Sequence, residues 1–231
     1  KKFIKQMKNK ISIIIPCKNE RLSLSSVLKE LKKIKLIDEI IIVVDSKKDN
    51  SIDVIKKNKC KYIIQRRKGY GSAIIEGFKK AKNEYGCIFN ADHSFKPNYL
   101  KKLHALSKNN DFIFGTRYKG YSGSDDDSIL TYVGNQIFSF ICKNFLNIKL
   151  SDVLFTYVLC NTKKFNSIKF KSIDFRLCIE LPYNVSKGSF KYTEVPMFER
   201  KRLAGEKKVN EFKDGFLISL EIVKCFLDRL K

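Results

Sequence analysis

The residues from Tyr85 to Pro97 carry the most pointed chemistry in this sequence. A short apolar run, Cys87 to Phe89, leads straight into Asn90-Ala91-Asp92 and a loop closed by Pro97. If the run is a buried strand, Asp92 stands at its carboxyl end, where open α/β sheets bind their ligands. A carboxylate there can hold a divalent cation that keeps several waters and takes further ligands from substrate phosphates. The competing reading is a turn aspartate capping a helix that starts near Asn98.

Three further segments could reach the same edge. Pro16-Cys-Lys-Asn-Glu20 follows one apolar run, Asp45 ends another, and Gly69-Tyr-Gly71 precedes an apolar helical pattern. Each has an ordinary explanation: Glu20 as a helix-start charge, Asp45 as a turn acid, the glycines as punctuation. In a parallel sheet, however, successive strand ends line one crevice, so residues far apart in sequence converge there. Coincidence of all four is harder to ascribe to chance than any one of them.

The elements that must position these residues read as alternating strands and helices. Ile11–Pro16, Glu39–Val44, Lys61–Gln65, Cys87–Phe89 and Asp111–Thr116 are strand-like apolar runs. Between them, Val27, Leu28, Leu31 and Ile34 recur at helical spacing, Ser51–Lys59 forms a short helix, and Ile74, Gly77, Phe78 and Ala81 share a face. This rhythm predicts βαβ crossovers and a mainly parallel sheet flanked by helices. Beyond Arg117 the expectations are a mobile loop over Tyr118–Ser128, a helix over Leu130–Leu146 and a strand over Val153–Asn161. A helix over Phe175–Lys187, kinked or shortened by Pro182, and a last strand over Lys191–Pro196 follow. No repeat or linker divides the chain, so one domain is expected, with a basic leader over 1–10, an alternating strand–helix half over 11–117, a more variable half over 118–214 and an apolar terminal helix over 215–231.

Composition narrows the classes. The 231 residues carry 47 basic and 24 acidic side chains, a net charge of +23, which predicts attraction to polyanions. The lysines are spread over almost every helix and loop, and no zinc-finger, homeodomain or RNA-recognition signature is present, so nucleic acid is not the expected partner. With only His93 and His104, a histidine zinc site or triad is improbable. The seven cysteines form no C-x-x-C pair, and no run approaches the ~20 apolar residues of a membrane span. Scattered thiols and the lack of an apolar signal core point to a reducing, cytoplasmic setting.

Taken in order, Ile15-Pro-Cys-Lys-Asn-Glu20, Val44-Asp45, Gly69-Tyr-Gly-Ser-Ala73 with Gly77, and Ala91-Asp92 with Pro97 resemble the family 2 glycosyltransferases. The similarity is to the dolichyl-phosphate mannosyltransferase and polyprenyl-phosphate glycosyltransferase branch. It continues through Gly115-Thr-Arg117-Tyr, Gly134-Asn135, Asp152, Glu180, Glu194-Val-Pro196 and Arg202-Leu-Ala-Gly205-Glu-Lys-Lys208. The resemblance implies a GT-A type fold, a nucleotide-diphosphate sugar donor and Mg2+ or Mn2+, with 11–117 as the nucleotide-sugar-binding half and 118–214 as the acceptor-side half. It implies that Pro16 and Glu20 border the nucleoside, that Asp45 recognises it, and that Gly71 belongs to the donor-binding set. Asp92 would hold the metal, Arg117 would meet the acceptor phosphate, and Arg202 and Lys208 would close over the diphosphate. On this reading Asp92, Arg117 and Arg202 are the catalytic residues.

Several positions depart from the family pattern. Asn90 stands where an Asp is usual, Ser94 where a Gln often assists the metal, and Ser46 where a second acid follows Asp45. Phe155-Thr156 replaces Ser-Gly near the acceptor, and Lys207 replaces the Ser of the last motif. An ionised lipid phosphate needs no general base, whereas a sugar hydroxyl needs a carboxylate within reach, and Asp152 and Glu180 are the candidates for it.

The expected activity is inverting transfer of a sugar to a polyprenyl or dolichyl phosphate, with an anionic membrane surface as a further partner. Rival expectations are transfer to a saccharide hydroxyl, a basic nucleic-acid-binding domain, and an inactive interaction protein. In the terminal helix Glu221, Lys224, Asp228 and Lys231 form one narrow polar stripe amid Phe, Leu, Ile and Val. So broad an apolar face predicts either membrane attachment or packing on the sheet or a second subunit.

Overall fold

Ile, Val and Cys in unbroken runs make strands that are buried on both faces, and these form the centre of the molecule. The computed structural model describes residues 10–205 and 207–231; residues 1–9 of the expected leader and Glu206 of the last motif lie outside the described residues. Strands β1 (Ile11–Cys17), β2 (Ile37–Val44), β3 (Lys61–Ile64), β4 (Tyr85–Ile88), β5 (Phe112–Thr116), β7 (Val158–Asn161) and β8 (Tyr192–Pro196) build one sheet in the order β3-β2-β1-β4-β7-β5-β8. Only β7 runs against its neighbours. A second, two-stranded ribbon pairs β6 (Gly123–Ser124) with β9 (Phe198–Glu199).

Helices cover both faces. Ile13 and Ile15 of β1 pack with α1 (Leu24–Leu31), α2 (Ile52–Lys57) and α4 (Tyr99–Leu106). Ile14, pointing the other way, packs with α3 (Tyr70–Phe78), α6 (Thr162–Ser167) and α7 (Leu177–Lys187), in one core with residues of α5 (Ile129–Phe145) and α8 (Glu211–Arg229). The seven cysteines are free thiols, six of them buried. Among the described residues no helix is long and apolar enough to cross a membrane.

From β1 the chain moves outward through β2 to β3, then returns to the other side of β1 with β4. This reversal makes the gap between the ends of β1 and β4 the switch point where such sheets accept ligands. Pro16 helps open it. It lies two residues past the last β1–β4 pair, Ile14 with Ile88, so its missing N–H deletes no bond of that ladder.

Three expectations are corrected. The Tyr118–Ser128 segment is not a free loop, because β6 pairs with β9 and the Asp127 carboxylate is bonded to Arg117 and Tyr118. The Val153–Asn161 strand shrinks to Val158–Asn161, its first half being an irregular segment that buries Val153, Phe155 and Tyr157. Helix α7 runs through Pro182 to Lys187, so the proline does not shorten it. Leu181 and Tyr183 are buried on either side of the proline, and packing outweighs local propensity.

Close approach of α3 to the sheet requires Gly77. A Cβ there would lie 2.4 Å from Ile14 Cγ2 and 3.2 Å from Val43 Cγ2. Gly77→Ala should therefore cost about 1–3 kcal/mol through overpacking. Urea denaturation checks this as a lower midpoint at unchanged slope; an unmoved midpoint would contradict it.

Candidate functional site

An open cleft of about 690 Å3 lies over the carboxyl ends of β1, β2 and β4. Pro16, Glu20, Asp45, Asp92, Arg117, Arg202 and Lys208 all line it. Gly71 does not. A Cβ on Gly71 would meet the Asp174 carbonyl at 2.8 Å and Leu177 Cβ at 3.0 Å, and the next amide, Ser72 N, donates to the Ile173 carbonyl at 2.8 Å. That glycine serves the packing of α3 on the 173–177 segment, while its neighbours Gly69, Tyr70 and Ala73 line the cleft.

At one end of the cleft, Glu20 N donates to Ser51 Oγ at 2.8 Å, and Ser23 Oγ donates to Glu20 Oε2 at 3.0 Å. Burial pushes the Glu20 carboxyl up, while Ser23 and the Lys208 ammonium, 3.8 Å away, pull it down. Nearby, Gln65 Nε2 donates to Asp45 Oδ1 at 2.9 Å, leaving the other carboxylate oxygen for a ligand.

In the middle, Asp92 Oδ1 accepts from Ser94 N at 3.0 Å and Oδ2 from Arg202 Nη2 at 3.3 Å. Arg202 also reaches Asp126, through its backbone N at 3.2 Å and Nε at 3.5 Å. Asn90 borders the same space; its Oδ1 lies 3.3 Å from the Tyr70 hydroxyl, which is 2.8 Å from Thr156 Oγ1. Burial raises the Tyr70 phenol well above its ordinary range, so it stays protonated as a donor. Among the described residues, no group of three or more His, Cys, Asp or Glu is placed to hold a metal ion. The donor set is thus one carboxylate and one amide, hard oxygens that suit Mg2+ or Mn2+ only when phosphates and water complete the shell.

At the far end Arg117 is surrounded by acids. Its Nε and Nη2 donate to Asp152 at 2.8 and 3.0 Å, and its Nη1 to Asp127 and Glu199, each at 3.1 Å. Its own backbone N also donates to Asp152 Oδ2. Burial alone disfavours a charged guanidinium, but Asp152 and Glu199 outweigh it and hold Arg117 well above its ordinary value. Burial also pushes the Glu199 carboxyl up, against the pull of Arg117 and of Ser124, whose hydroxyl donates at 2.7 Å. The Arg117 fork is therefore engaged by carboxylates and organises the segments that carry them, while Arg117 also lines the cleft. Asp152 is 1% exposed and spent on Arg117. Glu180 accepts from Lys171 N and Ser172 N, both at 2.7 Å. Neither lines the cleft, and each carboxylate is held by these partners.

Sequence reasoning missed Gln65, Tyr70, Asp126, Asp127 and Glu199 as lining residues. The Asp125-Asp126-Asp127 run was the available signal, and it read as a loop. Glu199 had none beyond its place two residues after Met197, past the end of β8.

Comparison with known proteins agrees with this geometry. The model of the family "Glycosyl transferase family 2" matches residues 12–169. The chain is 31% identical over 117 residues to the dolichol-phosphate mannosyltransferase of Pyrococcus furiosus, covering 47% of this chain and 33% of that protein. It is 29% identical over 127 residues to the undecaprenyl-phosphate 4-deoxy-4-formamido-L-arabinose transferase of Proteus mirabilis, covering 50% and 39%. The matched regions thus span between a third and two fifths of these two relatives. Among solved structures, glucosyl-3-phosphoglycerate synthase from Mycobacterium tuberculosis, in complex with Mn2+, UDP and glucosyl-3-phosphoglycerate, superposes with a TM-score of 0.76 at 12% identity, over 96% of this chain and 83% of that one. Mannosyl-3-phosphoglycerate synthase from Rubrobacter xylanophilus gives 0.72 at 15%, over 98% and 75%. These likenesses establish the GT-A fold.

Removing Arg117 would leave buried carboxylates without their cation. Arg117→Ala should lose about 3–5 kcal/mol of stability, and Arg117→Lys should recover only part, since an ammonium cannot match the bidentate fork on Asp152. Thermal and urea unfolding read this directly; a wild-type melting curve for Arg117→Ala would refute the organising role.

Proposed function

This chain belongs to glycosyl transferase family 2, and we propose that it moves a sugar from a nucleotide-diphosphate sugar to a polyprenyl phosphate of the dolichyl or undecaprenyl type, at a membrane surface. The observation that carries the reading is Asp92 at the switch point, in contact with Arg202 on the wall of the cleft. Pro16 and Glu20 border the nucleoside, and Asp45, oriented by Gln65, offers an oxygen to its base. Asp92 and Asn90 would hold Mg2+ or Mn2+ against the diphosphate, where the cation supplies Lewis-acid stabilisation of the leaving group. Arg202 and Lys208 add fixed positive charge where the departing nucleoside diphosphate becomes negative. The lipid phosphate, already ionised near neutral pH, attacks the anomeric carbon as the bond to the diphosphate breaks, so no proton need be taken up and the configuration inverts.

The test is transfer of labelled sugar from a panel of nucleotide sugars, with Mg2+ or Mn2+, into organic-extractable polyprenyl phosphate. Asp92→Ala should lower turnover by at least about a hundredfold while circular dichroism and melting stay as in wild type; unchanged turnover in that variant would refute the assignment. A second reading, transfer to a saccharide hydroxyl, is favoured by Asp127 and Glu199 lining the acceptor end. A water-soluble labelled product would select it.

For the membrane, the support is a broad apolar face. Val133, Ile137 and Phe140 of α5 are 46–65% exposed, as are Phe216, Leu220, Val223 and Leu227 of α8 at 41–64%. Each set follows one helical stripe, and Phe145 meets Phe226 between the two helices with ring centroids 6.2 Å apart. Meanwhile Glu221 is 7% exposed, so the polar stripe expected in α8 begins on its buried side. Such a face enters a lipid interface, aided by about 1 kcal/mol for each Lys or Arg held near an anionic leaflet. The protein should float with anionic vesicles and not with neutral ones, and Phe140→Glu with Leu220→Glu should abolish flotation. Equal recovery in the soluble fraction with and without anionic lipid would exclude membrane attachment.

A further inference from the structure

Asp92 and Arg202 face each other, yet they come from segments 110 residues apart in the chain. What holds those segments in register lies outside the cleft. Arg200 N donates to the Ser94 carbonyl at 2.9 Å and Leu203 N to the Asp92 carbonyl at 3.0 Å, a short ladder that sets the two loops side by side. Arg200 then turns its guanidinium to α1. Its Nη1 and Nη2 form a bidentate pair with the Glu30 carboxylate at 3.0 and 2.9 Å, and Nη2 also donates to the Phe95 carbonyl at 2.6 Å.

The same carboxylate touches the other loop. His93, next to Asp92, has its Nε2 3.1 Å from Glu30 Oε1. His93 also sits at φ +71°, a left-handed conformation that a non-glycine residue adopts only where its surroundings impose it. Glu30 therefore contacts one residue beside Asp92 and one residue two places before Arg202. It lies in the last turn of α1, where the helix dipole disfavours an acid, so the location needs compensation from cations. Glu30 does not line the cleft and touches neither Asp92 nor Arg202 itself.

We propose that Glu30 is a positioning residue, a clasp on the back of the site that holds the Asp92 and Arg202 loops side by side, so that both side chains are presented together to a cation-bound diphosphate in the cleft. The role of that pair rests on the function proposed above; the clasp itself is a statement about the two loops. Partners one step behind a ligand-holding residue commonly set ligand affinity through orientation.

Two arms test it, on the full chain. Hydrogen exchange is followed at the amides of Arg200 and Leu203, with α1 and the β1 amides as internal reference. In Glu30→Ala these two amides should exchange about tenfold faster while the reference amides keep their rates; Glu30→Gln, which keeps the shape and one acceptor, should fall between. Binding of a nucleoside diphosphate with Mn2+ is then measured by calorimetry, beside the KM for donor and acceptor. Loss of the clasp should weaken nucleotide affinity and raise the donor KM about ten- to a hundredfold, with the acceptor KM unmoved. The double variant Glu30→Arg with Arg200→Glu should restore part of both. Unaltered exchange at Arg200 and Leu203 in both single variants would overturn the clasp, as would an unaltered donor KM and nucleotide affinity. Should Glu30→Ala fail to fold, Glu30→Gln carries both arms. If wild type binds no nucleoside diphosphate, the proposed function fails while the exchange arm still decides the clasp.

Discussion

One guanidinium ties the later part of the chain to the earlier. Arg117 follows β5, and its carboxylate partners Asp127, Asp152 and Glu199 come from the segment before α5, the segment before β7 and β9. Taking four charged groups out of water is costly, and the arrangement persists only because the fork of Arg117 and the hydroxyls of Tyr118 and Ser124 satisfy the oxygens. Asn135 Nδ2 then donates to the Tyr118 hydroxyl at 2.9 Å and carries the network onto α5. Without this hub the 118–128 segment would be the exposed loop its composition describes.

Much of the fold was legible, because the signals that write it are local. Ile11–Ile15 and Ile40–Val44 can only be buried strands, and Asp45 and Asp92 at the ends of such runs must arrive at one sheet edge. The GT-A resemblance, drawn from the order of weak motifs, agrees with the solved structures. What escaped depends on partners distant in sequence. Nothing near Arg117 shows that Glu199, 82 residues on, will claim its Nη1. Nothing near Gly71 shows that the Asp174 carbonyl will press on it. The Val153–Tyr157 run has the composition of a strand, but Tyr157 stacks on Phe95 at 4.6 Å and Phe155 lies against the same ring, so aromatic packing wins over pairing.

The departures from the family pattern also acquire a physical sense. Thr156, itself one of those departures, and Tyr70 form a hydrogen-bonded chain to Asn90, and Tyr70 stacks on Phe175 at 4.8 Å. An aspartate at position 90 would bring a second negative charge close to Asp92 and beside the Tyr70 phenol. The neutral amide accepts the Tyr70 hydroxyl without that repulsion, at the expense of one charged ligand for a cation.

Strand β7 has a consequence for how the polypeptide comes into being. It is inserted antiparallel between β4 and β5, bonded to both, yet it is made after both. A nascent chain that has completed β5 therefore carries two unsatisfied strand edges in what will become the middle of its sheet. At usual elongation speeds, the roughly forty residues before β7 take on the order of 2–8 s to synthesise. Through that interval β4 and β5 are templates for any other extended segment. The ribosome, by its pace, decides how long the centre of this protein stays open.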